Sequence, residues 1–266
     1  MSIQKLTILA VLTFSSFTAF TQILKVDKGS ISSDSSGYFM GSINLDFNLN
    51  NRSATAEQNI TYTGIDGDAD LVYVGKNHAY ILLNQLNYFK TTTGPLFSTG
   101  QAHFRINFLR KRKISYELFS QIQYDQGRKM PLRLLEGGNV RIRLMESSKA
   151  TMHIGIGAMY ERENWKSLEV EDMIIEKEMI KSTNYINYKQ KINENVSFNM
   201  SAYYQGGYDQ EDEVFRNRIS GDAVINVKLT DRLAFNTSFS AQYEDKPIIA
   251  INNWVYSLTN GFKFSF

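Results

Sequence analysis

The sequence predicts an all-β fold, a single-chain transmembrane antiparallel β-barrel of about 12 strands. Three observations predict it. From Gly37 onward apolar and polar residues alternate with a period of two, as in strands with one apolar face. The alternating runs are longer than the usual strand of a soluble domain. The connections between them alternate between short and longer, which is typical of barrels with short periplasmic turns and longer extracellular loops.

The start of the chain has the pattern of a secretion signal. Lys5 precedes an apolar run over 6–20, and Ala19-Phe20-Thr21 has the form of a cleavage site. We therefore assign residues 1–21 to a cleaved signal peptide, 22–36 to a flexible periplasmic lead-in and 37–266 to the barrel. An uncleaved membrane anchor is the alternative interpretation. After residue 21 no apolar run reaches the length of a membrane-spanning helix.

Twelve strands account for the remaining chain. The second is the least regular, because "GIDGDAD" (64–70) interrupts it, so one bulged strand or two shorter strands both fit. The acidic part of that stretch is interpreted as a turn, since it lacks the distal Glu of a Ca²⁺ loop. The predicted strands are 37–50, 54–75, 78–91, 97–110, 113–126, 132–146, 149–162, 180–192, 195–208, 214–229, 232–245 and 252–266.

Connections and strand ends carry further predictions. The short connections lie near 76 and at 111–113, 146–149, 193–195 and 230–232, and the longer ones near 92–96, 127–131, 163–179, 209–213 and 246–251. The first upper connection, at 50–53, is predicted to be short and is the exception to the alternation. A soluble β-sandwich is the alternative fold, but it predicts shorter strands and no such alternation. Aromatic residues near strand ends fit the interfacial girdles of a barrel: Tyr38, Phe97, Tyr124, Tyr160, Tyr208, Tyr243 and Trp254.

If the apolar residues of each strand face lipid, the charged ones face the lumen. Centring each hairpin on its turn aligns Arg105, Glu117, Arg141 and His153 in one row, and Asp125, Arg133 and Glu161 in a second. Two interpretations stay open: the charges pair to hold the wall together, or they form a constriction that selects a small solute by charge. The complete predicted lumen network is His103, Arg105, Glu117, Asp125, Arg133, Arg141, Arg143, His153 and Glu161.

Composition argues against several functional classes. The 29 basic and 27 acidic residues nearly balance, which gives no support for nucleic-acid binding, and the chain has no cysteine. None of the three histidines (His78, His103, His153) stands in a His-x-Ser run, and no metal-ligand spacing occurs. We therefore predict no catalytic residues, no metal and no cofactor. A lipid- or lipopolysaccharide-modifying enzyme of the outer membrane is the alternative.

Two acid-rich connections, 164–181 and 209–213, are interpreted as solvated loops outside the cell. Cation-bridged contact with lipopolysaccharide or an external ligand is the alternative. The segment 164–181 also has enough apolar residues for a short helix over the barrel mouth. At the other end of the chain, an alternating aromatic segment forms the predicted closing strand, paired with the first. Its residues Thr259, Gly261, Phe264 and the terminal Phe266 resemble the C-terminal signal of the barrel-assembly machinery.

The central segment 103–144 carries a family resemblance. It contains His-x-Arg-x-Asn at His103, Glu-x-Phe-x-Gln at Glu117 and Arg-x-Leu-x-x-Gly at Arg133, followed by Tyr160-Glu161. These motifs resemble the salt-induced outer membrane proteins, a domain family of unknown function, in its Bacteroidetes form. The first hairpin departs from the family, with "NNRSAT" in place of Gly-Asn-Thr.

The resemblance implies a barrel in the outer membrane of a Gram-negative bacterium and brings no established activity. The expected protein is non-enzymatic, either a small-solute channel or a structural component of the envelope. Its expected partners are outer-membrane lipids, lipopolysaccharide, the assembly machinery and a small solute, and a monomer is the favoured oligomeric state.

Overall fold

The computed structural model describes residues 36–51, 61–92, 94–230 and 233–264. The predicted signal peptide, nearly all of the lead-in and the terminal Phe266 lie outside these residues. The described chain is all-β, and its strands are β1 (Tyr38–Asn51), β2 (Thr61–Val74), β3 (Ala79–Thr91), β4 (Gly94–Phe108), β5 (Ile114–Asp125), β6 (Met130–Glu146), β7 (Ala150–Lys166), β8 (Ile174–Lys191), β9 (Val196–Asp209), β10 (Val214–Lys228), β11 (Leu233–Glu244) and β12 (Trp254–Phe264).

The strands form one antiparallel meander in which each strand pairs with its neighbours in sequence. The order in the sheet is β1 to β12 without a crossover. This connectivity follows from the short connections, because a tight turn can join only antiparallel neighbours. Among the described residues of β1 and β12 no pairing between these two strands is found, so sealing of the barrel by the last strand stays a prediction.

Side-chain contacts between distant strands show that the sheet is strongly curled. The hydroxyl of Tyr185 on β8 donates to Glu117 on β5 at 2.7 Å, and Arg218 on β10 reaches Glu161 on β7 at 2.7 Å. Each pair of strands is three positions apart, which would separate them by roughly 14 Å in a flat sheet. The sheet therefore wraps around these side chains, and they lie in the interior of the barrel.

The outer face of the curled sheet is apolar. Ile43 on β1 is 82% exposed and Ile180 on β8 is 73% exposed, while the charged residues of the same sheet are buried inside. In a soluble protein, apolar residues are buried and charged residues are exposed. Apolar residues outside and charged residues inside are typical of a transmembrane β-barrel. The described residues form no helix that is long and apolar enough to cross a membrane.

The predicted bounds of the longest loop are wrong. β7 continues to Lys166 and β8 begins at Ile174, so the loop shrinks from 163–179 to 167–173 and contains no helix within these described residues. The acid-rich stretch forms strand instead of loop because its side chains still alternate between the inner and outer faces of the sheet. Glu176 and Glu178 point outward and pair with Arg162 at 2.8 and 3.5 Å.

Two other details of the predicted outline also change. The described part of β2 is one unbroken strand, and Gly64 to Asp70 pair with β1 and β3 without a shift in register, so the expected turn is absent there. β3 and β4 are joined by 92–93 alone, so the expected alternation of short and longer connections fails at this hairpin. The β11–β12 connection, 245–253, is the longest of those whose residues are all described.

The inner face is not polar everywhere. On β2 and β3 it carries a cluster of buried apolar side chains, which we call the inner apolar patch: Val72, Val74, Ala79, Ile81 and Leu83. Tyr38 packs against this patch, so it faces inward and is not the interfacial aromatic that the sequence predicted. Its neighbour Phe39, 68% exposed, takes the outward position.

Candidate functional site: the charged interior

Six charged residues from five strands meet inside the barrel. They face inward because each occupies the polar parity of its strand, and they are buried in every case. We call this group the inner charge network: Arg133 on β6, Glu161 and Glu163 on β7, Lys181 on β8, Arg218 on β10 and Glu244 on β11.

Arg218 on β10 connects β7 and β11 through this network. Its Nη1 donates to Glu161 and its Nη2 to Glu163, both at 2.7 Å, and its Nε donates to Glu244 at 2.9 Å. All three donor groups of the guanidinium are thus used. Such charge-assisted hydrogen bonds are about twice as strong as neutral ones.

Glu161 is the centre of the network and is completely buried. Its carboxylate pairs with Arg133, whose Nε lies at 2.7 Å, and with Lys181 and Arg218. A carboxylate removed from water is costly unless opposite charges and hydrogen bonds compensate it. Three cations on three other strands provide that compensation, so the network fixes the relative positions of β6, β7, β8 and β10.

A second buried group lies around Glu117 on β5. Arg105 Nη1 is 3.4 Å and Arg141 Nε is 3.8 Å from this carboxylate, and the Tyr185 hydroxyl donates to it at 2.7 Å. The Arg105 guanidinium also lies 5.9 Å from the centre of the Tyr185 ring. Gly155 makes this arrangement possible, because a Cβ at that position would collide with the Tyr185 ring.

A polar cavity of about 60 Å³ lies beside these groups. That volume has room for about four water molecules. Its lining includes Arg105 from the Glu117 group and Arg133 and Arg218 from the inner charge network. The other lining residues are His103, Phe119, Gln121, Leu135, Asn139, Thr183, Tyr203, Gln205, Ser220 and Gln242.

An apolar cluster covers the interior at the end that carries the 126–129, 167–173 and 245–253 connections. Trp165 is fully buried and packs with Met130 and with Ile249 of the β11–β12 connection. The Arg128 guanidinium lies 5.8 Å from the centre of the Trp165 ring and donates to Glu244 at 3.1 Å. We call this apolar cluster of Met130, Trp165 and Ile249 the cap, and it adjoins the inner charge network.

The structure brings together part of the predicted lumen network. Arg105, Glu117 and Arg141 are in one group, and Arg133 and Glu161 are in the other. The predicted registers differ by two residues from those observed: Arg105 pairs with Phe119 across the hairpin, and Glu117 pairs with Asn139. The side chains still meet because they cross diagonally between the strands.

The other four predicted residues belong to neither group. Asp125 accepts a hydrogen bond from the Arg128 backbone at 3.1 Å in the β5–β6 turn, away from the expected row. Arg143 is near the opposite end, where it pairs with Glu146 at 2.6 Å. His153 is buried opposite Arg143 and not opposite Arg141. His103 is buried against Gln121, with Nδ1 and Oε1 2.8 Å apart.

The predicted assembly residues of the C-terminus fall mainly on β12. The backbones of Thr259, Gly261 and Phe264 pair with β11, and Phe266 lies beyond the described residues. Their role in assembly stays a prediction.

Several residues of the interior escaped the sequence-based prediction. Glu163 and Lys181 were assigned to a solvated loop, although they continue the inward parity of Glu161 and Thr183. That parity is the pattern that could have identified them. Glu244 shows the same pattern, since it continues the parity of Gln242 and lies directly opposite Arg218 on the neighbouring strand. Tyr185 carries no such indication, because its partner Glu117 lies three strands away. Among the described residues no cluster of acidic or histidine side chains is arranged to hold a metal ion.

A family comparison assigns most of the chain to one domain family. Residues 42–253 match the family described as "Protein of unknown function, DUF481". The chain belongs to this family. The salt-induced outer membrane resemblance is consistent with the match, and the family description assigns no activity. No curated protein matches the chain.

Solved structures with a similar course of the chain include one described as a porin and one described as a channel. One is the NanC porin, with 9% identity and a TM-score of 0.45 over 76% of this chain and 94% of that one. The other is the CymD monoaromatic hydrocarbon channel, with 9% identity and a TM-score of 0.43 over 87% of this chain and 80% of that one.

Proposed function

We propose that this chain is a non-enzymatic β-barrel of the outer membrane of a Gram-negative bacterium, and that a small polar solute crosses the membrane through its narrow, charge-lined interior. One observation carries the proposal: buried charged side chains enclose a polar cavity inside a sheet whose outer face is apolar. An apolar outer face suits lipid, and a polar cavity can hold water, whereas an apolar one stays dry.

The inner apolar patch strengthens this argument. On β2 and β3 the same barrel fills its interior with Val72, Val74 and Ile81. Apolar filling is therefore compatible with this fold, and it avoids the desolvation cost of buried charges. Polar lining around the cavity is then better explained by a hydrated path than by the need to fill space alone.

A purely structural role in the envelope is the second candidate, and the cap favours it. Trp165 is fully buried with Met130 and Ile249, and Arg218 bridges the interior below them. In this conformation the interior is covered at that end. A channel therefore requires the β11–β12 connection to move, whereas a structural protein does not.

Planar-bilayer recording of the refolded full-length chain separates the two candidates. A channel gives discrete conductance steps, and Arg141→Ala is expected to shift their ion selectivity because it removes a buried interior charge. Arg162→Ala is the matched control, since Arg162 is an exposed arginine on the outer face of β7. Trp165→Ala is expected to increase the time spent open by weakening the cap.

The absence of conductance steps from both the wild-type chain and Trp165→Ala would contradict the channel and leave the structural role. The enzyme alternative has its own assay, in which the purified barrel is incubated with phospholipid and with lipopolysaccharide. Release of acyl chains from either would overturn the proposal that the protein is not an enzyme.

A further inference from the structure

We infer that the interior cavity binds one small oxyanion, of the carboxylate or phosphate class, and that Arg105 is its main anchor. This deepens the proposed function, because it names the class of solute that the interior path would recognise. The binding site itself does not require that the solute crosses the membrane.

The lining of the cavity is rich in hydrogen-bond donors and basic groups. Three guanidinium groups contribute to it, from Arg105, Arg133 and Arg218, and all three are buried. None of the described residues that line the cavity is Asp or Glu. Guanidinium groups match the planar, two-oxygen geometry of carboxylate and phosphate, so this lining suits an anion and disfavours a cation.

The three arginines differ in how many of their donors are already used. Arg218 donates to three carboxylates, at 2.7, 2.7 and 2.9 Å. Arg133 is likewise held by Glu161 and Glu163. Arg105, by contrast, forms one ion pair, a long contact with Glu117 at 3.4 Å, and otherwise interacts with Tyr203 and the rings of Phe119 and Tyr185. Its Nε has no hydrogen-bond acceptor within the described residues.

A buried guanidinium with unused donors has a cost that an anionic ligand would remove. Glu117 does not supply this compensation fully, because its Oε2 atom also accepts the Tyr185 hydroxyl at 2.7 Å. Asn139, another lining residue, also has a buried polar atom, Oδ1, that accepts no hydrogen bond within the described structure. A protonated oxyanion or a bridging water would fit beside it.

The balance of charge in this part of the interior agrees with an anion. Within the described residues, the two groups around the cavity and their neighbours contain six cations and five carboxylates, a net charge of one positive. The cations are Arg105, Arg128, Arg133, Arg141, Lys181 and Arg218, and the carboxylates are Glu117, Glu161, Glu163, Asp222 and Glu244.

The size of the cavity limits the ligand. A volume of about 60 Å³ accommodates a group of about four or five heavy atoms. Acetate and phosphate are of this size, and a longer molecule would fit only with its carboxylate or phosphate end in the cavity.

Calorimetric titration of the refolded full-length chain in detergent tests the inference. Sodium acetate and sodium phosphate are the two probes, and neutral acetamide is the uncharged analogue. We expect saturable binding of at least one anion at one site per chain, and none of acetamide. Arg105→Gln should weaken that binding about tenfold or more, which corresponds to the loss of a charge-assisted hydrogen bond, and Arg105→Lys should retain part of it.

Arg143→Gln is the matched control, because Arg143 lies on β6 like Arg141, opposite the buried His153, but does not line the cavity. Far-ultraviolet circular dichroism verifies that each variant has folded. Anion binding that Arg105→Gln and Arg105→Lys leave unchanged, or no binding of either anion by the wild-type chain, would overturn the inference. A chain that binds an anion but conducts no ions would refute the proposed channel alone. A chain that conducts ions but binds neither anion would refute the anion site alone.

Discussion

Two regions of the inner wall are similarly buried, one filled by apolar side chains and the other by charged side chains. The inner apolar patch on β2 and β3 excludes water with aliphatic side chains from neighbouring strands. The inner charge network places six ionised residues from five strands in contact. The apolar patch therefore stabilises a local part of the sheet, whereas the network ties strands that are not neighbours and maintains the curvature of the barrel.

The first prediction concerns the centre of the network. Glu161→Gln leaves Arg133, Lys181 and Arg218 without their shared carboxylate, so we expect the free energy of unfolding to fall by about 3–5 kcal/mol. Urea unfolding in lipid vesicles measures it. Glu178→Gln removes an exposed carboxylate on the outer face and should cost about 1 kcal/mol or less. Equal effects of the two variants would contradict the contrast between inside and outside.

The second prediction concerns the Glu117 group. Charge reversal at Arg105 or Glu117 alone should destabilise the barrel, and the double reversal should recover part of the loss, with a coupling energy of about 0.5–3 kcal/mol. A double-mutant cycle in the same unfolding assay measures this coupling. Strictly additive losses would show that the 3.4 Å contact contributes no pairwise energy.

The third prediction concerns the apolar patch. Ile81 is 2% exposed and faces inward on β3, so Ile81→Val should cost about 0.5–1.5 kcal/mol, as truncation of a packed aliphatic side chain does. Ile122→Val removes the same methylene from the exposed outer face of β5 and should cost less. If truncation at Ile81 were as severe as Glu161→Gln, the patch would have more than a local role.

The fourth and smallest effect concerns the connection that carries part of the cap. Burial raises the pKa of Asp245, but hydrogen bonds from the Asn217 side chain and backbone, each 2.7 Å long, outweigh it and hold the pKa below the ordinary value of 3.8. A carboxylate with a depressed pKa stabilises the fold above its unfolded-state value, and that contribution disappears as pH falls through the folded-state value.

We therefore expect the stability difference between the wild-type chain and Asp245→Ala to be constant near neutral pH and to shrink below about pH 4. Thermal unfolding followed by circular dichroism at a series of pH values measures this difference. A difference that grows on acidification would contradict the assigned hydrogen bonds.

The comparison also shows what could be predicted from the sequence. The strand number and the inward parity of Arg105, Glu117, Arg133 and Glu161 follow from the period of two, which is a local property. The contacts of Arg218 with Glu161 and Glu163 on β7 depend on how far the sheet curls, and no local pattern encodes that. The predicted hairpin registers were wrong by two residues, because the register depends on turn geometry. An error of two residues leaves each side chain on the same face of the sheet, so the predicted inward positions were still correct.

The central claim is that the sheet has a lipid-facing outer surface and a charged interior, and alternate labelling along β5 tests it most directly. The chain has no cysteine, so single-cysteine variants at Leu118, Gln121, Ile122 and Gln123 can be labelled with bimane and reconstituted in vesicles that contain brominated lipid. We predict strong quenching at Leu118 and Ile122, which are exposed outside, and little at Gln121 and Gln123, which are buried inside. Equal quenching at all four positions, or the reverse pattern, would contradict the account.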